Sequence, residues 1–201
     1  MIEKGNNSRI DEVLEAYRLC KLFRGLGNSL INKLATRSTI ERYPPNTLII
    51  RQHETNYHIL LLKKGSLNVL RKIRKHEVEG KEILQKKFSS EYANIKDEMI
   101  MEIKQVHEND CVCDYEIINQ VPMVNSIITI LPCEIIMLSM YELLEWLSNE
   151  QIKFMQNSVN LYPNDYEVLE SHLKNLNWNK VKNCIVQNVI YDKFQKKNLN
   201  T

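Results

Sequence analysis

The chain has 201 residues, a net charge of +2 and five Gly, and its eight Arg all lie at or before Arg74. An average chain of this length holds about 14 Gly, so phosphate-cradling Gly loops are disfavoured and only Lys can hold anions after residue 74. At 43 % apolar and 26 % charged residues the chain is not of disordered composition, its near-neutral charge gives no warrant for nucleic-acid binding, and no apolar run approaches a membrane span.

The opening stretch MIEKGNNSRIDE has no apolar centre, so no secretory signal is expected. Cys20, Cys111, Cys113, Cys133 and Cys184 are odd in number and irregularly spaced, which suits a reducing cytoplasm better than a disulfide framework. Asn, Ile and Lys are abundant; their AT-rich codons explain this without a functional role.

Along the chain, Ile10, Val13, Leu14 and Tyr17 recur at helical spacing, with Ser8 as cap and Asp11 and Glu12 in the first turn. Gly25 and Gly27 end that helix, and Asn28 or Ser29 caps a second through Leu30, Ile31 and Leu34. Residues 39–43, 47–51, 58–63 and 66–73 are short, β-branched and apolar, separated by turn residues, and predict antiparallel strands. Gly65 is expected to supply a positive φ in a hairpin.

Residues 72–99 break the rhythm and read as a charged insertion carrying a short exposed helix. Residues 71–87 have a net charge of +4 and residues 88–116 a net charge of −6, so the halves can pair with each other. Strands resume at 99–106, 111–113, 124–130 and 134–139. From Met140 the chain predicts helices: a capping box at Ser148 and Gln151, then one helix from Pro163 and another carrying Trp178, Val181, Ile185, Val189 and Ile190. The fold class is α+β: an antiparallel, jelly-roll-like β-roll of about eight strands flanked by N-terminal and C-terminal helices. The divisions are a helical segment (1–38), the roll (39–139) with its insertion at 72–99, and the C-terminal helices (140–201).

Particular residues then resemble a known family. Leu19–Ala35, with its Phe23-Arg24-Gly25-Leu26 turn, and Arg42–Glu54 resemble the opening of a cyclic nucleotide-binding domain. Leu60–Leu70 with Gly65, Ile103–Asp110 and Pro132–Leu147 resemble its later strands and following helix. The resemblance implies a β-roll with a nucleotide inside it. A short cassette holds the phosphate, its Glu binding the ribose hydroxyl and its Arg the phosphate, and a C-terminal helix caps the base. Here that stretch is Cys113–Thr129. Without gaps, Cys113 stands for the Gly, Asp114 for the Glu, Pro122 for the Pro and Met123 for the Arg. A two-residue shift puts Asn125 at the Arg instead. Neither supplies a cation. A charge-assisted hydrogen bond contributes about 1.5–3 kcal/mol, and a buried anion without its partner costs about 3–5 kcal/mol. A family-like ligand would then bind roughly two to three orders of magnitude more weakly.

Other constellations have plainer readings. Cys111 and Cys113 are expected on one side of a strand as apolar residues, since no further Cys or His completes a metal site. Asp110, Asp114 and Glu116 are expected on an exposed turn. No catalytic motif is present. The tail from Lys174 has a net charge of +5 and an apolar stripe, expected to pack on its own domain. The reading is a non-catalytic module with no metal and no cofactor, its vestigial pocket at Cys113, Asp114, Tyr115, Met123, Val124 and Asn125. Its expected partners are other proteins of a cytoskeletal or ciliary (axonemal) assembly in the cytoplasm, with no nucleic acid and no transmembrane segment. The interface candidates are Arg71–Lys87 and Trp178–Phe194. The alternative is a cAMP or cGMP sensor with an altered pocket, in which Asp114 binds ribose and Asn125 the phosphate.

Overall fold

Helix α1 (Ile2–Leu19) begins ahead of Ser8, so Ser8 is not its cap. The computed structural model describes the backbone of residues 2–198 and the side chains of residues 8–191. Val13, Ala16 and Tyr17 on α1, and Cys20 beyond it, are buried. The Tyr17 ring meets Phe23 at 4.4 Å between centroids, and its hydroxyl meets that of Ser38 at 2.5 Å. Helix α2 (Asn28–Arg37) follows Gly27, with no side-chain cap from Asn28 or Ser29, and buries Ile31, Leu34 and Ala35.

Eight strands lie among the described residues: β1 (Thr39–Tyr43), β2 (Leu48–Ile50), β3 (His58–Lys64), β4 (Leu67–Arg74), β5 (Glu98–Val106), β6 (Cys111–Val112), β7 (Ser126–Thr129) and β8 (Cys133–Ser139). They form two four-stranded sheets, ordered β1-β8-β3-β6 and β2-β7-β4-β5. Thr39 pairs with Met137, Leu61 with Ile136 and Leu70 with Ser126, all antiparallel. This is the expected α+β roll with helices at both ends. Ile59–Leu62 are all buried, so β3 is covered on both faces. Gly65 has the expected positive φ (+104°), and a Cβ there would lie 2.4 Å from the Pro132 carbonyl oxygen. Its turn is not a hairpin, however: it carries the chain from the first sheet to the second.

The remaining helices are α3 (Lys81–Lys87), α4 (Ser89–Asn94), α5 (Asp114–Asn119), α6 (Met140–Trp146), α7 (Asn149–Gln156) and α8 (Asp165–Asn198). The capping box forms at the start of α7: Gln151 N donates to Ser148 Oγ, and Ser148 N to Gln151 Oε1 at 2.9 Å. Two helices were expected after Pro163; α8 is one continuous helix, because no Gly or Pro interrupts it.

By compactness the chain forms two units. Residues up to 72 and 100–162 make the roll with α1, α2 and α5–α7. Residues 73–99 and those from 163 on make the second. Within this second unit the insertion is not an exposed helix. It folds as α3 and α4, burying Leu84, Phe88 and Tyr92, and α8 buries Leu169 and Leu173. Lys180 and Glu91 pair at 2.7 Å, and Lys87 and Glu170 at 2.8 Å. The basic and acidic halves of the insertion do pair, through Lys75–Asp97 at 3.2 Å and Arg74–Glu98 at 3.3 Å. Such exposed pairs contribute about 0–1 kcal/mol each. Phe194, Lys193, Lys196 and Lys197 lie outside the residues whose side chains are described.

Candidate functional site: the cassette segment of the roll

Strand β6 ends at Val112, and Cys113 turns into the left-handed region with φ 65°. It therefore leaves the strand rather than sharing its face with Cys111. The left-handed turn starts α5 at once, so Asp114 heads a helix whose inner face packs into the core through Ile117 and Ile118. Gln120 is also left-handed and ends the helix. Residues 121–125 then return to β7.

The acids of this segment are not on an exposed turn. Asp114 is 0 % exposed and Glu116 1 %. Burial raises both carboxylates above their ordinary range. The Asp114 Oδ2 accepts the backbone N–H of Asn160 at 2.7 Å and its side-chain amide at 3.1 Å. The same amide also reaches the Cys111 carbonyl at 3.0 Å, so Asn160 ties the end of β6 to the head of α5. Tyr162 lies beside these acids, and its hydroxyl is pushed up, first by burial and then by the Asp114 and Glu116 charges. Glu116 Oε1 accepts from Val124 N at 3.3 Å. Asp110 alone of the three acids is half exposed, and it pairs with Lys104 at 3.3 Å.

Tyr115 is half-buried on α5, and its carbonyl accepts from the Asn119 amide at 2.8 Å. Met123 is buried in the hydrophobic core, and its carbonyl accepts from His53 N at 2.7 Å. Val124 is half-buried, while Asn125 is 1 % exposed. The Asn125 Oδ1 accepts from Arg71 Nε at 2.9 Å. Arg71 lies on β4 in phase with Leu67, Val69 and Ile73, all buried, and is itself 2 % exposed. Its charge favours the ionised form of Glu116. Arg71 is thus a buried polar residue of the roll, not part of an exposed basic face.

No protein-family model and no curated protein matches the chain. Solved structures do. The regulatory domain of Toxoplasma gondii PKA, crystallised with cAMP, superposes with a TM-score of 0.58 at 14 % identity, over 75 % of this chain and 49 % of that one. The regulatory subunit of a cAMP-independent protein kinase A from Trypanosoma brucei superposes with a TM-score of 0.57 at 16 % identity, over 83 % and 50 %. A triple mutant of that subunit, bound to cAMP in its A site, gives a TM-score of 0.58 at 16 % identity, over 84 % and 53 %. This chain has the cyclic nucleotide-binding domain fold. It spans about half the length of these structures.

Cys113–Asn125 is the segment that the sequence resemblance matches to the phosphate cassette. Cys113 keeps the left-handed conformation that Gly adopts without cost; for a side-chain-bearing residue it costs about 1–2 kcal/mol. Met123, which the ungapped resemblance matches to the family's Arg, lies in the core. Asn125, which the shifted resemblance matches instead, accepts from the Arg71 guanidinium of β4. The sequence reading missed Arg71, Asn160 and the burial of Glu116. Only the first carried a signal: an Arg on the apolar phase of an alternating strand.

Proposed function

We propose that this is a non-catalytic domain whose nucleotide pocket is vestigial and which acts as a protein-interaction or structural module. The vestigial pocket comprises Cys113, Asp114, Tyr115, Met123, Val124 and Asn125. The observation that carries this reading is the occupied carboxylate: Asp114, the counterpart of the ribose-binding acid, is already bonded to Asn160 from two donors. Both donors meet Oδ2; Oδ1 has no hydrogen-bond partner among the described residues but is buried, so a ligand hydroxyl would have to reach an oxygen that the fold has closed off from solvent. The Trypanosoma brucei pair supports the same logic. That kinase is cAMP-independent, and the mutant bound to cAMP has a Glu removed and an Arg introduced among its three substitutions. Here the acids are retained and the cassette has no Arg.

The assembly we assign to it is cytoskeletal or ciliary, by resemblance of such degenerate domains to those of axonemes. Retention of the tagged chain in a detergent-extracted cytoskeleton supports that placement; complete release overturns it. The second reading, a sensor with an altered pocket, has one observation in its favour: the buried guanidinium of Arg71 beside Asn125. In it Asp114 binds ribose, Asn125 and backbone N–H groups hold the phosphate, and cAMP or cGMP is the ligand. Calorimetry with both nucleotides separates the readings. The first predicts no saturable heat below millimolar concentrations; a micromolar Kd establishes the second.

A further inference from the structure

Helix α8 uses two different faces. Leu169 and Leu173 are buried within the second unit, and Lys180 is held by Glu91 at 2.7 Å. Beyond Leu173, Trp178, Val181, Ile185 and Val189 recur at spacings of three and four, and Val186 and Ile190 widen the stripe. These six are between 44 % and 62 % exposed. The tail stripe was expected to pack on its own domain; it remains open instead. A contiguous apolar stripe on a helix is unusual unless something covers it.

Charge decides which occupant fits. Residues 171–191 contain Lys174, Lys180 and Lys182 and no Asp or Glu. Lys174 pairs with Glu170, but Lys182, between Val181 and Ile185, forms no ion pair among the described residues. Since Glu170 and Glu91 neutralise Lys174 and Lys180, the charge this stripe offers is that of Lys182, and a second copy would add a like charge to the seam with no acid of residues 171–191 to meet it, which opposes self-association. An apolar helix flanked by Glu or Asp would cover the stripe and meet Lys182.

We infer that the exposed face of α8 from Trp178 to Ile190 docks an acidic amphipathic helix of a partner protein. This rests on the interaction-module reading and names the chemistry of the partner. The test uses the full chain and a synthetic acidic helix of about three heptads, with Leu at a and d and Glu at e and g. A twin with Lys in place of Glu and anionic phosphatidylserine vesicles form the other arms. Trp178 emission is the readout, in a Trp146→Phe background. The acidic helix is expected to shift the emission to the blue saturably, and Ile185→Asp to weaken it at least tenfold. Lys182→Glu is expected to weaken it about threefold, with the circular dichroism of both variants unchanged. Equal binding of the Lys twin, tighter binding to vesicles, a dimer at micromolar concentration by sedimentation, or no shift overturns the inference. These outcomes leave the vestigial-pocket reading standing, because nucleotide calorimetry tests that separately.

Discussion

Between Cys113 and Asn125 the roll buries an Asp, a Glu and an Asn, while between Trp178 and Tyr191 α8 leaves seven large apolar side chains exposed. Each region reverses the usual partition of polar and apolar groups. The first is held by the chain's own groups, Asn160 on Asp114 Oδ2, Val124 on Glu116 Oε1 and Arg71 on Asn125 Oδ1, while Asp114 Oδ1, Glu116 Oε2 and Asn125 Nδ2 are buried without a hydrogen-bond partner among the described residues. The second is open. In the roll the polar segment faces inward, and on the last helix the apolar side chains from Trp178 to Ile190 face outward. Buried polar groups are costly to disturb and exposed apolar ones are cheap, which gives the comparison a measurable form.

The largest effect is expected at Asp114. Asp114→Ala leaves two Asn160 donors without their acceptor and should lower stability by about 2–4 kcal/mol in urea unfolding. A loss below about 1 kcal/mol would show that Asn160 does not close the site. Next is Cys113. A β-branched Cys113→Val tolerates φ 65° poorly and should cost about 1–2 kcal/mol. Cys113→Gly should change stability by less than about 1 kcal/mol, since relief of strain offsets the lost buried side chain and the added chain entropy. Equal losses for Gly and Val would remove the conformational argument.

The pH dependence sharpens the contrast further. Burial raises Asp114 and Glu116, so the folded chain retains protons that the unfolded chain releases. Their contribution weakens the fold as pH rises from the ordinary carboxylate value near about 4 through the raised values, and vanishes below it. Glu91, Glu134 and Glu170 act oppositely. They are lowered chiefly by Lys180, Lys63 and Lys87, and their stabilisation is lost as pH falls through the lowered values. Glu116→Gln should therefore gain most over the wild type at neutral pH and least near pH 4, in urea midpoints taken across that range. A gain that grows toward acid would contradict the burial argument. The smallest effect is expected on α8: Ile185→Ser should stay within about 0.5 kcal/mol. A larger loss would mean that Ile185 packs against the chain itself.

Much of the frame was legible because its signals are local. The strand rhythm from Thr39, the positive φ of Gly65 and the Ser148–Gln151 box each depend on a few neighbouring residues. The site was not local. Asn160 reaches Asp114 across 46 positions, and no pattern announces it. Arg71 reaches Asn125 across 54 positions. It was hidden by the basic residues that follow it, although its phase with Leu67, Val69 and Ile73 marked it as inward. The acids near Cys113 read as an exposed turn because charge ordinarily means solvent, and the helix that carries them inward was not evident in so short a segment. The unbroken α8 was divided in two because its apolar stripe changes face near Trp178.

The central claim is that the cassette is closed by the chain itself. Nuclear magnetic resonance of the Arg71 Nε–H and the Asn160 side-chain amide in the presence of cAMP and of cGMP tests it most directly. Both signals should stay unmoved up to millimolar nucleotide. A saturable shift of either signal with a micromolar midpoint would contradict the account.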